Sequence, residues 1–465
     1  MAKTFMLVAA LALLASATAL RSLYARGFEE AEVLPAKNPA LIMNHVAKEQ
    51  GHLAAQNLAK TNLGNLTSYA GFLEVNQTKG NSLFVWYFPA LNGNKNAPLL
   101  IWLQGGPGGA STFGLFSEIG PFSINANQQL EPRNTTWNEE YSLLFIDNPV
   151  GAGFSFTAKN GWATNSRVDA AEDLYSCLQA FYQVFPSELK NDLYITGESY
   201  AGHYIPAFGA YVHNQNKAGQ KPEIPLKGVS IGDGWTVPHL QMQAIPGLMF
   251  NLGLADDVQT AQLEEYSLQA INYITAGDYK AAFDVWDLML NGDVWPYATY
   301  FYNLTGCTDY DNFLRTDGPV SFGYYSAFLQ AHRDDIHVGN ATLNSGLECE
   351  MHLINDVMDS YQPELELLME NYKVLLYNGQ LDLIVGVPLT EQYIPHLNWS
   401  GSKGFAAADR TVWKVEAADE QVAGYARSYK NFTQVVVRGA GHIAPFDQGR
   451  SVKDMVTRFV ENKAF

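Results

Sequence analysis

At 465 residues the chain can bury a large core, as one enlarged domain with an insertion or as two to three ordinary domains. With 47% hydrophobic, 13% aromatic and only 16% charged residues, it is globular and not a disordered polymer. Acidic side chains outnumber basic ones 47 to 29, and the net charge of −18 argues against a general binder of nucleic acid or anionic membrane. An acidic compartment would blunt that charge.

The chain opens on Lys3, the apolar run Phe5 to Leu14, and small residues offering Ala15-Ser16-Ala17 or Ala17-Thr18-Ala19 for cleavage. This reads as a secretory signal over 1–19, too short for a membrane span. Residues 20–63 read as a peripheral leader, helix-compatible from Asn44 to Lys60. Strand patterns then occupy Ser68 to Val75, Ser82 to Phe88 and Leu99 to Gln104, the last running into Gly105-Gly106-Pro107-Gly108-Gly109. So many glycines together imply a loop approached closely by something else.

Tyr141 to Ile146 is a buried strand, Arg167 to Phe185 a helix, and Asp192 to Ile195 a strand that leads into Gly197-Glu198-Ser199-Tyr200-Ala201-Gly202. Leu226 to Ile231 is the next strand. Alternating strands and helices predict an α/β fold with a mostly parallel sheet covered on both faces. From 236 to 340 the rhythm becomes helical, punctuated by Gly292, Pro296 and Gly306, which predicts a helical lid inserted into a core of 64–235 and 341–465. A helix over Glu348 to Glu370, the strand Lys373 to Tyr377, the strand Thr433 to Arg438 and a terminal helix, Val452 to Val460, complete the core.

A serine between small residues at a strand-to-helix turn is forced into a sharp bend that exposes its hydroxyl and frees the next backbone N–H for an oxyanion. Ser199 has that setting, although Ala201 stands where the G-x-S-x-G template ends in glycine. Asp382 and His442 also fall just past predicted strands, and in a parallel sheet those ends share one edge. The order Ser, Asp, His is that of an α/β-hydrolase, with His442 as base and Asp382 fixing its tautomer.

Four stretches, Trp102-Leu103-Gln104-Gly105-Gly106-Pro107-Gly108, Gly197 to Gly202, Asn378-Gly379-Gln380-Leu381-Asp382 and Gly441-His442-Ile443-Ala444-Pro445-Phe446-Asp447-Gln448, resemble the serine carboxypeptidase family, and most of all its vitellogenic-carboxypeptidase-like branch. The resemblance runs from about Ser68 to the C-terminus. It implies Ser199, Asp382 and His442 as the catalytic set and the N–H groups of Gly106 and Tyr200 as the oxyanion hole. It also implies Gln104, Gly105, Glu118 and Glu198 as the site for the substrate's C-terminal carboxylate. Two carboxyl groups beside an anion must hold a proton between them, so binding should favour acidic pH. His442 must nevertheless be neutral to act as base: either its folded pKa is depressed, or gains in binding outweigh the lost base.

Two departures from the family pattern stand out. Ala110 replaces a serine hydroxyl in the pocket wall, and Gly449 replaces a proline, which should loosen that turn. Phe113 and Trp235 suit an apolar subsite or the core. Cys177 reads as a buried thiol, and Cys307 with Cys349 offers one bridge. Nothing has zinc-ligand spacing, and no cofactor is called for.

Sequons at Asn65, Asn76, Asn134, Asn303, Asn340, Asn398 and Asn431 fit export, as a secreted or lysosomal or vacuolar glycoprotein. The expected partner is a peptide or protein with a free C-terminus, with neither nucleic acid nor, in the mature form, membrane; a homodimer is left open. Two other readings are an acyltransferase of the same fold and a catalytically silent protective partner. An esterase would have no need of Glu118 and Glu198.

Overall fold

The computed structural model describes residues 40–294 and 297–465; the expected signal segment and the leader up to residue 39 lie outside them. Ten strands carry the sheet: β1 Ser68–Asn76, β2 Asn81–Phe88, β3 Leu99–Leu103, β4 Ser142–Ile146, β5 Leu193–Glu198, β6 Leu226–Gly232, β7 Lys373–Gly379, β8 Arg410–Trp413, β9 Gly424–Tyr429 and β10 Phe432–Val437. They lie in the order β1-β2-β4-β3-β5-β6-β7-β10-β9-β8, and short strands at Lys60–Thr61 and Phe156–Thr157 bring the sheet to twelve. The six strands from β4 to β10 along this order are parallel, and the pairs flanking them are antiparallel.

Why apolar runs become these strands is visible in β3, Leu99-Leu100-Ile101-Trp102-Leu103. Leu99, Ile101 and Leu103 join the core on one face, while Leu100 and Trp102 join the core on the other. Period-two alternation in a strand covered on both sides needs apolar residues at every position. The first face is closed by α2 (Ala171–Val184), α3 (Ala201–Lys217) and α6 (Gln362–Asn371), through Leu174, Phe181, Tyr204, Phe208 and Leu365. The second is closed by α1 (Ser111–Ser117) and α7 (Gly449–Glu461), through Leu115, Phe116, Val456 and Phe459.

Between 236 and 340 the described residues contain helices and no strand of the sheet; the longest helices are α4 (Asp257–Ala276) and α5 (Tyr279–Met289). Asp256 caps α4, accepting the N–H of Gln259 at 2.8 Å, and Gly277, left-handed at φ 78°, ends it. No helix among the described residues is long and apolar enough to cross a membrane.

Two expected helices are broken. The leader helix divides into Met43–Gln50 and His52–Ala59 at Gly51, φ 89°. The stretch from Glu348 gives Leu347–Leu353 and then α6, because the intervening Asp356 is drawn into side-chain hydrogen bonds described below. The proposed bridge is also absent. Cys307 and Cys349 are free thiols, and Cys349 donates to the carbonyl of Val150 at 3.1 Å.

The register aligns the C-terminal ends of the parallel strands. Leu103 lies opposite Gly197, Glu198 opposite Gly232, Gly232 opposite Tyr377, and Gly379 opposite Val437. A Cβ on Gly197 would sit 2.1 Å from the Leu103 carbonyl oxygen. Gly197→Ala should therefore destabilise the fold by about 1–3 kcal/mol, read as a lower urea midpoint with an unchanged slope.

Candidate active site

Ser199 occupies the turn between β5 and α3 with φ 62°, a left-handed conformation that costs a non-glycine residue of order 1 kcal/mol or more. Neighbouring backbone pins it there. Its N–H donates to Gly232 at 2.9 Å, and its carbonyl accepts from Gly202 at 2.9 Å and Trp235 at 3.0 Å. The glycine loop presses on the same turn, since a Cβ on Gly105 would lie 2.5 Å from the Ser199 Cβ and 2.7 Å from the Tyr200 nitrogen. Ala201 departs from the template without consequence because the close approach falls one residue later: a Cβ on Gly202 would lie 2.6 Å from the Trp235 carbonyl oxygen. The N–H groups of Gly106 and Tyr200 donate to no described backbone or side-chain acceptor.

Tyr200 is held from below. Its hydroxyl donates to Asp356 Oδ2 at 2.5 Å, and Ser166 Oγ donates to the same oxygen at 2.6 Å. Tyr361 and Asn165 donate to Asp356 Oδ1 at 2.7 and 3.0 Å. With both oxygens engaged, this buried carboxylate is satisfied and fixes the ring beneath the turn.

Asp382 follows β7 and His442 follows β10, as expected. His442 Nδ1 lies 2.9 Å from Asp382 Oδ2, and Asp382 Oδ1 accepts the Val385 N–H at 3.1 Å. Burial pulls the His442 pKa down, but the adjacent Asp382, with Asp311 and Glu198, outweighs it and lifts the value to about 9. A third acid, unforeseen from the sequence, stands here. Asp233, in Gly232-Asp233-Gly234 after β6, is fully buried, and one of its carboxyl oxygens, one of Asp382's and a ring nitrogen of His442 all lie within 4.8 Å of one another. Among the described residues this is the arrangement nearest to a metal cluster, but the Nδ1 of His442 is already engaged by Asp382.

Glu198, the residue before Ser199, and Glu118, next to Glu198, are both buried. Trp102 Nε1 donates to Gln104 Oε1 at 2.9 Å, and an indole can only donate, so the Gln104 amide nitrogen must face Glu198 Oε1, at 2.7 Å. The second N–H of that amide is left for another acceptor. Burial raises the Glu118 pKa to about 8, against the pull of Arg133. Glu198 is pushed up by burial and by Glu118, so the pair holds a proton in common.

Ser199, His442, Gln104, Gly105, Gly106, Tyr200 and Glu198 all line one cavity of about 290 Å³, while Glu118 and Asp382 stand behind its wall. Phe113 and Trp235 both reach it, as do Trp286, Asn291 and Asp293 from the helical segment. Trp235 stacks on Trp286 at 5.4 Å. Ala110 forms part of the wall.

The same segment holds the histidine loop. His442 N donates to the Asp311 carbonyl at 2.6 Å, Asn312 donates to Asp447 Oδ2 at 3.0 Å, and Arg315 pairs with Asp447 Oδ1. Asp447 Oδ2 also accepts the N–H of Gly441 at 2.7 Å. Gly449 is tight where a loosened turn was expected, since a Cβ there would lie 2.6 Å from Thr135 Oγ1. Sequence offered one signal for Asp233, an acid between glycines at a strand end; for Asp311 and Asp356 it offered none.

Comparison with known proteins matches residues 59–462 to the family model described as serine carboxypeptidase. The chain is 44% identical over 404 residues to the probable serine carboxypeptidase CPVL of Mus musculus, covering 86% of this chain and 84% of that one. It is 36% identical to the vitellogenic carboxypeptidase of Aedes aegypti, covering 87% and 86%. The crystal structure of Kex1(delta)p, a prohormone-processing carboxypeptidase from Saccharomyces cerevisiae, superposes with a TM-score of 0.73 at 25% identity, covering 88% of this chain and 95% of that one.

Asp447 ties the helical segment to the histidine loop, so Arg315→Ala should lower kcat about tenfold, the scale of a positioning contact, and should also lower the melting temperature, because Asp447 and Asp309 lose their cation. Steady-state kinetics beside thermal denaturation checks this.

Proposed function

Given that the chain belongs to the serine carboxypeptidase family, and is a serine-type carboxypeptidase acting on peptides, we propose that Ser199 is its nucleophile, His442 its general base and Asp382 the orienting acid. The observation that carries this is the buried Glu118/Glu198 pair with Gln104 against the cavity that contains Ser199 and His442. A hydrolase indifferent to chain ends has no use for it.

Ser199 Oγ attacks the carbonyl of the last peptide bond while His442 Nε2 takes its proton, and the imidazolium is stabilised by Asp382. The N–H groups of Gly106 and Tyr200 receive the oxyanion; a side chain at 106, where φ is 109°, would crowd them. His442 then gives the proton to the departing amine, leaving an acyl group on Ser199, and water attacks by the same route in reverse. The departing residue is held by its carboxylate, which accepts from the free N–H of Gln104, from Gly105 and from the proton of the Glu118/Glu198 pair.

Of the two routes to activity at acidic pH, the raised pKa of His442 opposes a depressed imidazole and favours the other, in which binding offsets a scarce base. A shared carboxyl proton binds substrate while the pair keeps it; burial holds that proton well above the ordinary carboxylate range, and it is lost as pH rises further. Residues 236–340 serve in this reading as a lid that sets side-chain preference through Trp286, Asn291 and Asp293. Six sequon asparagines, 65, 134, 303, 340, 398 and 431, are exposed and Asn76 is half-buried, which favours a glycoprotein of the secretory route, secreted or lysosomal.

An N-blocked apolar dipeptide with a free C-terminus should be hydrolysed and its amidated twin should not, and Ser199→Ala should lower kcat by about 10⁴-fold or more. Equal cleavage of the two substrates would remove carboxylate recognition from the proposal. Titration of kcat/KM should show a fall on the alkaline side, as the Glu118/Glu198 pair loses the proton that burial holds above the ordinary carboxylate range. Glu198→Gln, which keeps its donors at every pH, should flatten that limb and weaken binding of the free acid, whereas an unaltered limb would place the titration elsewhere.

A further inference from the structure

Asp233 has a conformation and a setting that packing alone does not require. Its φ of 45° is left-handed, and its N–H donates to the Tyr377 carbonyl at 2.7 Å. Its Oδ1 accepts the Gly379 N–H at 2.8 Å, while Oδ2 is buried with no hydrogen-bond partner among the described residues. An ionised carboxylate in that position would leave a buried oxygen without a donor, which is costly.

The groups facing it are Asp382 from the turn after β7, His442 from the turn after β10, Glu198 at the end of β5 and Tyr377 on β7. Of these only the His442 imidazolium is positive, and its Nδ1 is directed at Asp382 Oδ2. Two buried carboxyl groups this close, with one imidazolium beside them that is directed at Asp382, do not both stay ionised. One proton therefore stays, and the hydrogen bonds decide where. Asp382 already accepts on both oxygens, from His442 and from Val385. Asp233 accepts on Oδ1 alone, which leaves Oδ2 as the oxygen able to carry a proton and donate it.

We infer that Asp233 is a positioning residue for the reaction: as a neutral carboxylic acid it donates a hydrogen bond from Oδ2 to the Asp382 carboxylate, steering that carboxylate toward His442. The inference rests on Ser199, Asp382 and His442 being the catalytic set. Burial and the neighbouring Asp382 both push the Asp233 pKa well above the carboxylate range, in agreement with the geometry. Keeping the charge on Asp382, the group that touches the imidazole, while withholding it from Asp233 spares His442 a further anion beside Asp382 and Asp311. The donated bond also withdraws some density from Asp382, so losing it should make His442 a stronger base that is harder to free of its proton.

Asn has the shape of a protonated Asp, with a donor where the acid has O–H and an acceptor toward Gly379. Asp233→Asn should therefore keep kcat/KM within about threefold of the wild type across the pH range. Asp233→Ala, which has no donor, should lower kcat about tenfold or more with KM little changed, and should move the acid limb of the kcat profile to higher pH. A purely structural role would lower the melting temperature of the alanine variant and leave that limb in place, and this outcome would overturn the inference.

Infrared difference spectra of wild type minus Asp233→Asn supply a reading independent of catalysis and of how the alanine variant folds. They should contain the carbonyl band of a protonated carboxylic acid at neutral pH; its absence, with a carboxylate band in its place, would also overturn the inference. Ser199→Ala keeps the two readings apart. Activity surviving that substitution would defeat the catalytic assignment itself, while the infrared result would still report the state of Asp233.

Discussion

The site depends on how little room there is around Ser199. Its backbone is held left-handed by Gly232, Gly202 and Trp235, with Gly105 against its Cβ. Three elements of different sequence origin, the loop after β3, the turn after β5 and the turn after β6, meet at a separation that excludes a methyl group. A structure that close-packed has few alternative arrangements, so the Gly106 and Tyr200 N–H groups, the proposed oxyanion donors, are oriented before substrate arrives, which is where such groups gain most of their catalytic worth. The register that brings Leu103, Glu198, Gly232 and Gly379 to one edge of the sheet is the larger-scale expression of the same constraint.

Charge is the second organising quantity. Glu198 and Asp311 line the cavity with Asp233, Asp382 and Glu118 buried nearby, and burial pushes Asp311 up to about 6. Against them stand the His442 imidazolium and Arg133, whose guanidinium also donates to the carbonyls of Gly120 and Phe122 at 3.1 Å. So many acids with so few cations can coexist only by sharing protons. The site is thereby divided into carboxylates that stay charged and carboxylic acids that act as donors, an assignment made by burial and hydrogen bonding and invisible in residue identity.

Much of the architecture was legible in the sequence because the strands of a doubly covered sheet must be apolar throughout and end in turns that only certain residues tolerate. The placement of Ser199, Asp382 and His442 just past such strands could be anticipated. What escaped was tertiary. Asp356 breaks an expected helix because Tyr200, Tyr361, Ser166 and Asn165 converge on it from distant segments. Gly449, taken as a loosening substitution, is imposed by Thr135 from another part of the chain. Cys307 and Cys349 lay in a loop-rich region that suggested a bridge, yet Cys349 points at Val150.

The contacts from Asp311, Asn312 and Arg315 to the loop of His442 and Asp447 give the helical segment two duties. Its residues Trp286, Asn291 and Asp293 shape the space above the nucleophile, while a few positions later the same segment is the mooring of the histidine. In the proposed reading, selectivity and turnover are thus wired through one stretch of chain. In this chain that stretch is not a detachable cassette; whatever replaced it would also have to bring a carbonyl for the His442 amide and a cation for Asp447.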